Sequence, residues 1–259
     1  MKFIDTHSHL YSSKFNEDRS EVVNAAILTG VKKILLPNIS SKYTKKMLTL
    51  CEEFPNNCFP MMGLHPCDVT EKNYESEICH IEKELAKKKY IAVGEIGLDL
   101  YWEKSTLEIQ KKAFIHQIKL AKKHQLPIVI HTRDSFQEAI EIIEVLNDNL
   151  LTGVFHCFNG GLKEAERIID LKGFYLGIGG VLTFKNAGVA EIIKNIDLSH
   201  LLLETDAPYL APVPFRGKRN ESKYILTVAK RLSETLNVTI EEVAKTTTKN
   251  AENLFNLSK

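Results

Sequence analysis

Phe3-Ile4-Asp5-Thr6-His7-Ser8-His9 reads as a short strand running into a pair of histidines. Side chains alternate faces along a strand, so His7 and His9 are expected to point the same way, about 7 Å apart. Two imidazoles so placed can converge on one divalent cation, histidine being the commonest metal ligand near neutral pH. An isolated His-x-His fits an ordinary solvated turn about equally well. The rest of the chain decides between the two.

Apolar strand-like runs recur seven more times. After the run over 3–7, strand-like runs lie at 33–37, 59–63, 91–95, 128–131, 153–158, 174–178 and 201–205. Helical periodicity separates them over 21–28, 42–54 and 77–87. Ser105-Thr106-Leu107-Glu108 and Asp134-Ser135-Phe136-Gln137 carry the signature of a helix start. Thr239-Ile240-Glu241-Glu242 opens a last helix, after a longer one over 222–236. Alternating strands and helices call for a parallel sheet with crossover helices. Eight strands in about 210 residues match the usual size of an α/β (β/α)8 TIM barrel. A doubly wound open sheet is the alternative, weakened because no glycine-rich dinucleotide turn follows the first strand. No repeat, linker or low-complexity tract appears, so a single domain is expected over 1–259.

In such a barrel the C-terminal ends of the strands form the active site. The runs end in His7 and His9, in Gly63-Leu64-His65-Pro66, in Gly94-Glu95-Ile96-Gly97-Leu98-Asp99, in Ile130-His131-Thr132-Arg133, in Phe155-His156-Cys157-Phe158 and in Leu203-Glu204-Thr205-Asp206. A barrel needs no charge at its rim for stability. Four histidines and two carboxylates there supply nitrogen and oxygen ligands without cysteine, which suits zinc, manganese or a similar divalent ion such as magnesium. His7, His9, Glu95, His131, His156 and Asp206 are too many for one catalytic zinc that keeps an open position. They suit two ions joined by a carboxylate and a water.

Composition narrows the remaining choices. The 259 residues are 44% hydrophobic, enough for one large core or two modest ones, and no run is long and apolar enough to suggest a membrane span. No stretch resembles a targeting segment. Five cysteines, an odd number without C-x-x-C spacing, suggest reduced thiols in a cytoplasmic protein. Cys157, next to His156, is expected to face the other way on its strand. The net charge of +1 offers no field for wrapping duplex nucleic acid, though a local phosphate patch is compatible with it.

Phe-Ile-Asp-Thr-His-Ser-His, Gly-Leu-His-Pro, Gly-Glu-Ile-Gly-Leu-Asp, Ile-His-Thr-Arg-Asp, His-Cys-Phe-Asn-Gly, Glu-Thr-Asp-Ala-Pro and Pro-Phe-Arg-Gly-Lys-Arg-Asn-Glu, in this order, closely resemble the TatD family of metal-dependent hydrolases, within the amidohydrolase-like barrels. The resemblance spans 1–258. It implies that His7, His9 and Asp206 hold one ion, that Glu95 bridges, and that His131 and His156 hold the other. It implies hydrolysis of DNA phosphodiesters, with relatives that trim single strands from the 3′ end. Asn159 stands where serine is common, and Ser222 where proline is common. Neither touches an expected ligand.

Asp206 is expected to bind metal, and acting as catalytic base or serving as ligand only fit it about equally well. Asp5 and Glu204 are expected to orient ligand histidines from behind. His65, Arg133, Arg216 and Lys218 are candidates for holding substrate phosphate, arginine by its planar fork and lysine as a point charge. Tyr101 and Trp102 sit where an aromatic can stack on a base, and packing over the barrel rim fits them at least as well. A nucleic acid, DNA above all, is thus the expected partner, with no obligate protein partner and no membrane. The competing readings are hydrolysis of an amide, a lactone or an aminoacyl ester by the same metals, and a metal-stabilised binding protein without activity.

Overall fold

The computed structural model describes residues 1–148 and 150–257. The single domain expected over 1–259 also takes in Asn149, Ser258 and Lys259, which lie outside the described residues. All eight strands form: β1 (Phe3–Asp5), β2 (Val31–Leu36), β3 (Cys58–Pro60), β4 (Val93–Asp99), β5 (Ile128–Arg133), β6 (Gly153–Phe155), β7 (Phe174–Ile178) and β8 (Leu201–Leu203). Between and after them come α1 (Arg19–Thr29), α2 (Ser41–Glu53), α3 (Tyr74–Leu85), α4 (Leu107–His124), α5 (Phe136–Leu146), α6 (Leu162–Asp170), α7 (Val189–Ile193), α8 (Ile225–Leu236) and α9 (Ile240–Phe255).

The strands pair in parallel in two arcs, β1-β2-β3 and β4 through β8 in order. Backbone hydrogen bonds join the arcs at both seams. Ile91 N donates to Pro60 O and Met62 N to Ala92 O on one side; Thr6 N donates to Leu203 O and Asp206 N to His7 O on the other. The ring is therefore closed, and the fold is the expected TIM barrel.

Period-two alternation sets what fills it. Ile4, Leu35, Met61, Ala92, Val129, Val154 and Leu202 form one buried cluster with Ala251, Leu254, Phe255 and Leu257, so the end of α9 plugs the bottom of the barrel. Their neighbours along the strands, such as Ile34, Leu36, Ile128, Ile130, Phe155 and Leu201, pack in the larger core with the helices. Two residues beyond inward-facing Val129, Val154 and Leu202 stand His131, His156 and Glu204. One alternation thus carries the inward direction from an apolar floor to an ionisable top. Gly177 makes room there, because a Cβ at this position would lie 2.3 Å from Glu204 Oε2.

Several expected runs end early. β1 stops at Asp5, so His7 and His9 lie past the strand. The backbone around them is still bonded to both neighbours, Ser8 N to Leu35 O and His9 N to Ala207 O. β6 stops at Phe155 because Cys157 takes a positive φ of 49° and turns the chain. The Thr239 helix start forms a complete capping box with Glu242. The one at Ser135 does not, since its hydroxyl donates to Leu98 O instead.

Candidate metal centre

The ionisable strand ends meet around Glu95, which is buried at the top of β4. Its two oxygens face different partners. Oε2 lies 3.2 Å from His7 Nε2 and 3.4 Å from His9 Nε2, and those two nitrogens are 3.2 Å apart. Asp206 Oδ1 completes this group at 3.8 and 3.7 Å from the same nitrogens. Oε1 lies 2.9 Å from His131 Nδ1 and 2.8 Å from His156 Nε2, which are 3.3 Å apart. Metal–nitrogen bonds of roughly 2.0–2.1 Å put tetrahedral ligand atoms about 3.3 Å from one another. Both groups have edges near that length, and their nitrogen and oxygen donors suit a borderline divalent ion. The residues present fit a metal.

Hydrogen bonds on the far side of the rings decide which nitrogen keeps its lone pair. Tyr11 donates its hydroxyl to Pro37 O, so its oxygen accepts from His9 Nδ1 at 2.8 Å and leaves His9 Nε2 free for a metal. His131 Nε2 donates to Asp99 Oδ2 at 2.9 Å, which leaves Nδ1 facing Glu95. His156 Nδ1 lies 3.6 Å from Glu204 Oε1, as expected of a carboxylate behind a ligand histidine. His65 is different. Its Nδ1 accepts from Cys67 N at 3.1 Å, so the proton of the neutral ring sits on Nε2, 3.4 Å from Glu95 Oε1. That makes His65 a donor pointed into the centre, which suits an anion better than a cation.

Charge and burial oppose each other here. Burial would raise the Glu95 carboxyl, but the charges of His156, His65 and His7 and the His131 hydrogen bond hold it well below the usual carboxylate range. Burial would depress His156 and His131, yet Glu95 with Glu204 lifts the first well above the ordinary histidine range, and Asp99 with Glu95 lifts the second. Burial and the nearby charge of His156 hold His7 low. Burial pushes the Asp206 carboxyl up to about 6. Burial would raise Asp99 too, but His131 holds it at about 2.

The centre opens into a cleft of about 660 Å³ whose lining includes His65, Asp99, Trp102, Arg133, Tyr209 and Cys157. Arg133 is thus where the sequence suggested, but Arg216 and Lys218 are not in the lining. Both are exposed, and Arg216 stacks on Phe184 at 4.0 Å. The basic residue of that loop that does form ties is Arg219. It pairs with Asp18 and Glu221, fixing the loop against the segment after β1. Asp5 also departs from expectation. It touches no imidazole; its Oδ1 accepts from Thr205 N at 2.9 Å and His7 N at 3.4 Å, and its Oδ2 from Thr205 Oγ1 at 2.6 Å. It ties the chain before His7 to the chain before Asp206. Cys157 lines the cleft because of its turn, and its amide bonds Glu204 Oε1 at 2.5 Å.

Sequence reasoning missed Asp99 as the partner of His131, and it missed two glutamines of α4. Gln110 exchanges two hydrogen bonds with the Asp99 backbone, and Gln117 does the same with Leu64, next to His65. Buried amides seven residues apart on one helix, at apolar spacing, were the available signal.

A family model described as TatD related DNase matches residues 4–256. The chain is 38% identical over 255 residues to the uncharacterized metal-dependent hydrolase YabD of Bacillus subtilis, covering 98% of this chain and 99% of the relative. It is 31% identical over 260 residues to the 3′-5′ ssDNA/RNA exonuclease TatD of Escherichia fergusonii, covering 98% and 99%. The crystal structure of YjjV, the TatD homologue of Escherichia coli K12, superposes with a TM-score of 0.91 at 31% identity, covering 98% of both chains. A barrel of this build, with its donors gathered at the strand ends and these relatives along its whole length, belongs to the TatD family of metal-dependent hydrolases.

Proposed function

We propose that this chain hydrolyses phosphodiester bonds of DNA, on single strands and from an end, using two divalent ions. The observation that carries this reading is the division of Glu95 between two nitrogen-rich groups, one on each carboxylate oxygen. The exonuclease activity of the Escherichia fergusonii relative supports the substrate class. The near-neutral net charge supports a compact contact with few phosphates.

His7, His9 and Asp206 would hold one ion, His131 and His156 the other, with Glu95 between them. Bound there, the ions supply Lewis acidity toward a phosphoryl oxygen and make a nearby water more acidic. Asp206 would accept a proton from the attacking water, since burial makes its carboxyl more basic than an exposed aspartate. His65 donates from Nε2, and Arg133 offers its fork, to the non-bridging oxygens of the substrate phosphate. Asp99 holds the His131 ring in orientation, while the Glu204 carboxylate 3.6 Å behind His156 Nδ1 offsets charge on that ring.

Purified protein offered single-stranded DNA, duplex DNA, RNA and a chromogenic phosphodiester, with and without zinc, manganese or magnesium, tests this. Single-stranded DNA is expected to shorten progressively, only with metal. Metal-loaded protein inert on every phosphodiester, yet active on a lactone, amide or aminoacyl ester, moves the assignment to carbonyl hydrolysis.

A further inference from the structure

The chain has one tryptophan, and it stands at the rim of the metal cleft. Trp102 is 72% exposed and its neighbour Tyr101 is 52% exposed. Two large aromatic faces left in water side by side do nothing for the core, and such exposure marks surfaces that meet a partner. The rings meet edge-on, with centroids 4.8 Å apart. The Arg133 guanidinium lies 3.5 Å above the Tyr101 ring and 5.5 Å from that of Trp102. Among the described residues Arg133 forms no salt bridge, and its only side chain-linked hydrogen bond is made by its backbone N–H. It is a cation held in place by an aromatic face with its donors unspent.

This assembly is fixed to the metal centre by one carboxylate. Asp99 Oδ2 accepts from the His131 ring, while Asp99 Oδ1 accepts from Tyr101 N at 3.0 Å. Arg133 itself follows His131 by two residues on β5. The aromatic pair and the cation are therefore set at a defined distance from the second group of ligands. A planar apolar face beside an unpaired guanidinium matches a nucleotide, with its base on the indole and its phosphate on the fork. A base must leave its duplex stack to reach an indole in this way.

We propose that Trp102, Tyr101 and Arg133 form a nucleotide subsite, in which Trp102 stacks an unpaired base next to the bond being cleaved. This rests on the phosphodiesterase reading above, but its test does not require turnover. Trp102 is the sole tryptophan, so the protein's indole fluorescence reports on this position alone. Metal-loaded full-length protein is titrated with a short phosphorothioate oligothymidylate and with an abasic phosphorothioate strand of equal length. The thymidylate is expected to quench the emission and the abasic strand to leave it nearly unchanged. In cleavage of the ordinary diesters, the preference for thymidylate over the abasic strand should fall roughly 5–100-fold in Trp102→Ala and recover in part in Trp102→Phe. Equal quenching by both strands, no quenching by either, or an equal loss of cleavage on both strands in Trp102→Ala overturns the subsite. Base-dependent quenching by a protein that cleaves no nucleic acid leaves the subsite standing and removes the nuclease reading.

Discussion

The two halves of the metal centre share Glu95 but are built in different ways. The half with His7, His9 and Asp206 is held chiefly by main chain, with the neutral Tyr11 hydroxyl as the side chain behind His9. Its segments exchange backbone hydrogen bonds, and Asp5 clamps the amides on either side. The half with His131 and His156 is tied by main chain too, His156 N donating to Ile130 O, but it adds carboxylates, Asp99 bonded to one ring and Glu204 lying 3.6 Å behind the other. Main chain fixed by a closed barrel resists displacement but cannot tune charge. Carboxylates behind imidazoles do tune it, raising ligand basicity and fixing the tautomer. The first half is therefore the rigid anchor and the second the adjustable one, which also has Arg133 and His65 beside it in the cleft.

The strongest way to break that contrast is to remove what the halves share. Glu95→Gln is expected to lower metal occupancy of both halves together and to abolish turnover. It also takes the central anion from among five buried or half-buried histidines, which should cost about 3–5 kcal/mol in the metal-free protein. Elemental analysis and denaturant unfolding read the two effects. Full occupancy of either half in this variant contradicts a bridging role.

Asp99→Asn and Asp5→Asn separate the halves. Losing the carboxylate behind His131 should weaken the second ion about 10–100-fold while the first stays bound, as outer partners of ligands do elsewhere. Asp5→Asn should act through the fold, costing about 1–3 kcal/mol for a buried donor left without a good acceptor, and any loss of metal should fall on the first ion. Calorimetric titration of metal into each variant checks this. The same ion lost in both would mean that the halves are not independent.

Protons sharpen the comparison further. Ligands must give up their protons to bind metal. In the metal-free protein His131 and His156 are raised, and Asp206 is raised to about 6. A group with a raised pKa keeps its proton to higher pH, so the ion competes with it until that pH is passed. Affinity should therefore climb through about pH 6 as Asp206 ionises, by up to tenfold per pH unit for each proton displaced, and climb further as His156 follows. Titrations in two buffers of different ionisation heat should show net proton release near neutrality. Proton-neutral binding would mean that the histidines are already neutral and that Glu95 and Glu204 do not charge them.

Much of this could be read from residue order. The eight strands follow from recurring apolar runs, and the gathering of six ionisable side chains follows from the ends of some of them, because a parallel barrel places every strand's C-terminal end on one rim. The ends of those runs were less legible. Hydrophobicity marks where a strand is buried, but where it stops depends on turns such as the positive φ at Cys157, which alternation does not record. Partners distant in sequence were hidden as well. Asp99 and His131 are 32 residues apart and meet only because β4 and β5 pair in one register. Asp5 looked like a partner of His7 by spacing, whereas its real partner, Thr205, is 200 residues away.

The rims of the two halves give the last and smallest test. Sequence alone grouped Arg133 with Arg216 and Lys218 as phosphate contacts. In the fold, Arg133 lines the cleft beside the second half, whereas Arg216 is exposed outside the cleft lining and already stacked on Phe184. A charged hydrogen bond from Arg133 to a substrate phosphate should contribute about 1.5–3 kcal/mol, so Arg133→Ala should weaken single-strand binding by roughly 10–150-fold. An exposed arginine outside the cleft contributes through screened attraction, and Arg216→Ala should change affinity by less than about 1 kcal/mol, vanishing at high salt. Binding measured across a salt series distinguishes the two, because the Arg133 effect should persist as ionic strength rises. If Arg216→Ala costs as much as Arg133→Ala, the strand also runs over the loop after β8, and the placing of the substrate contact beside the second half fails.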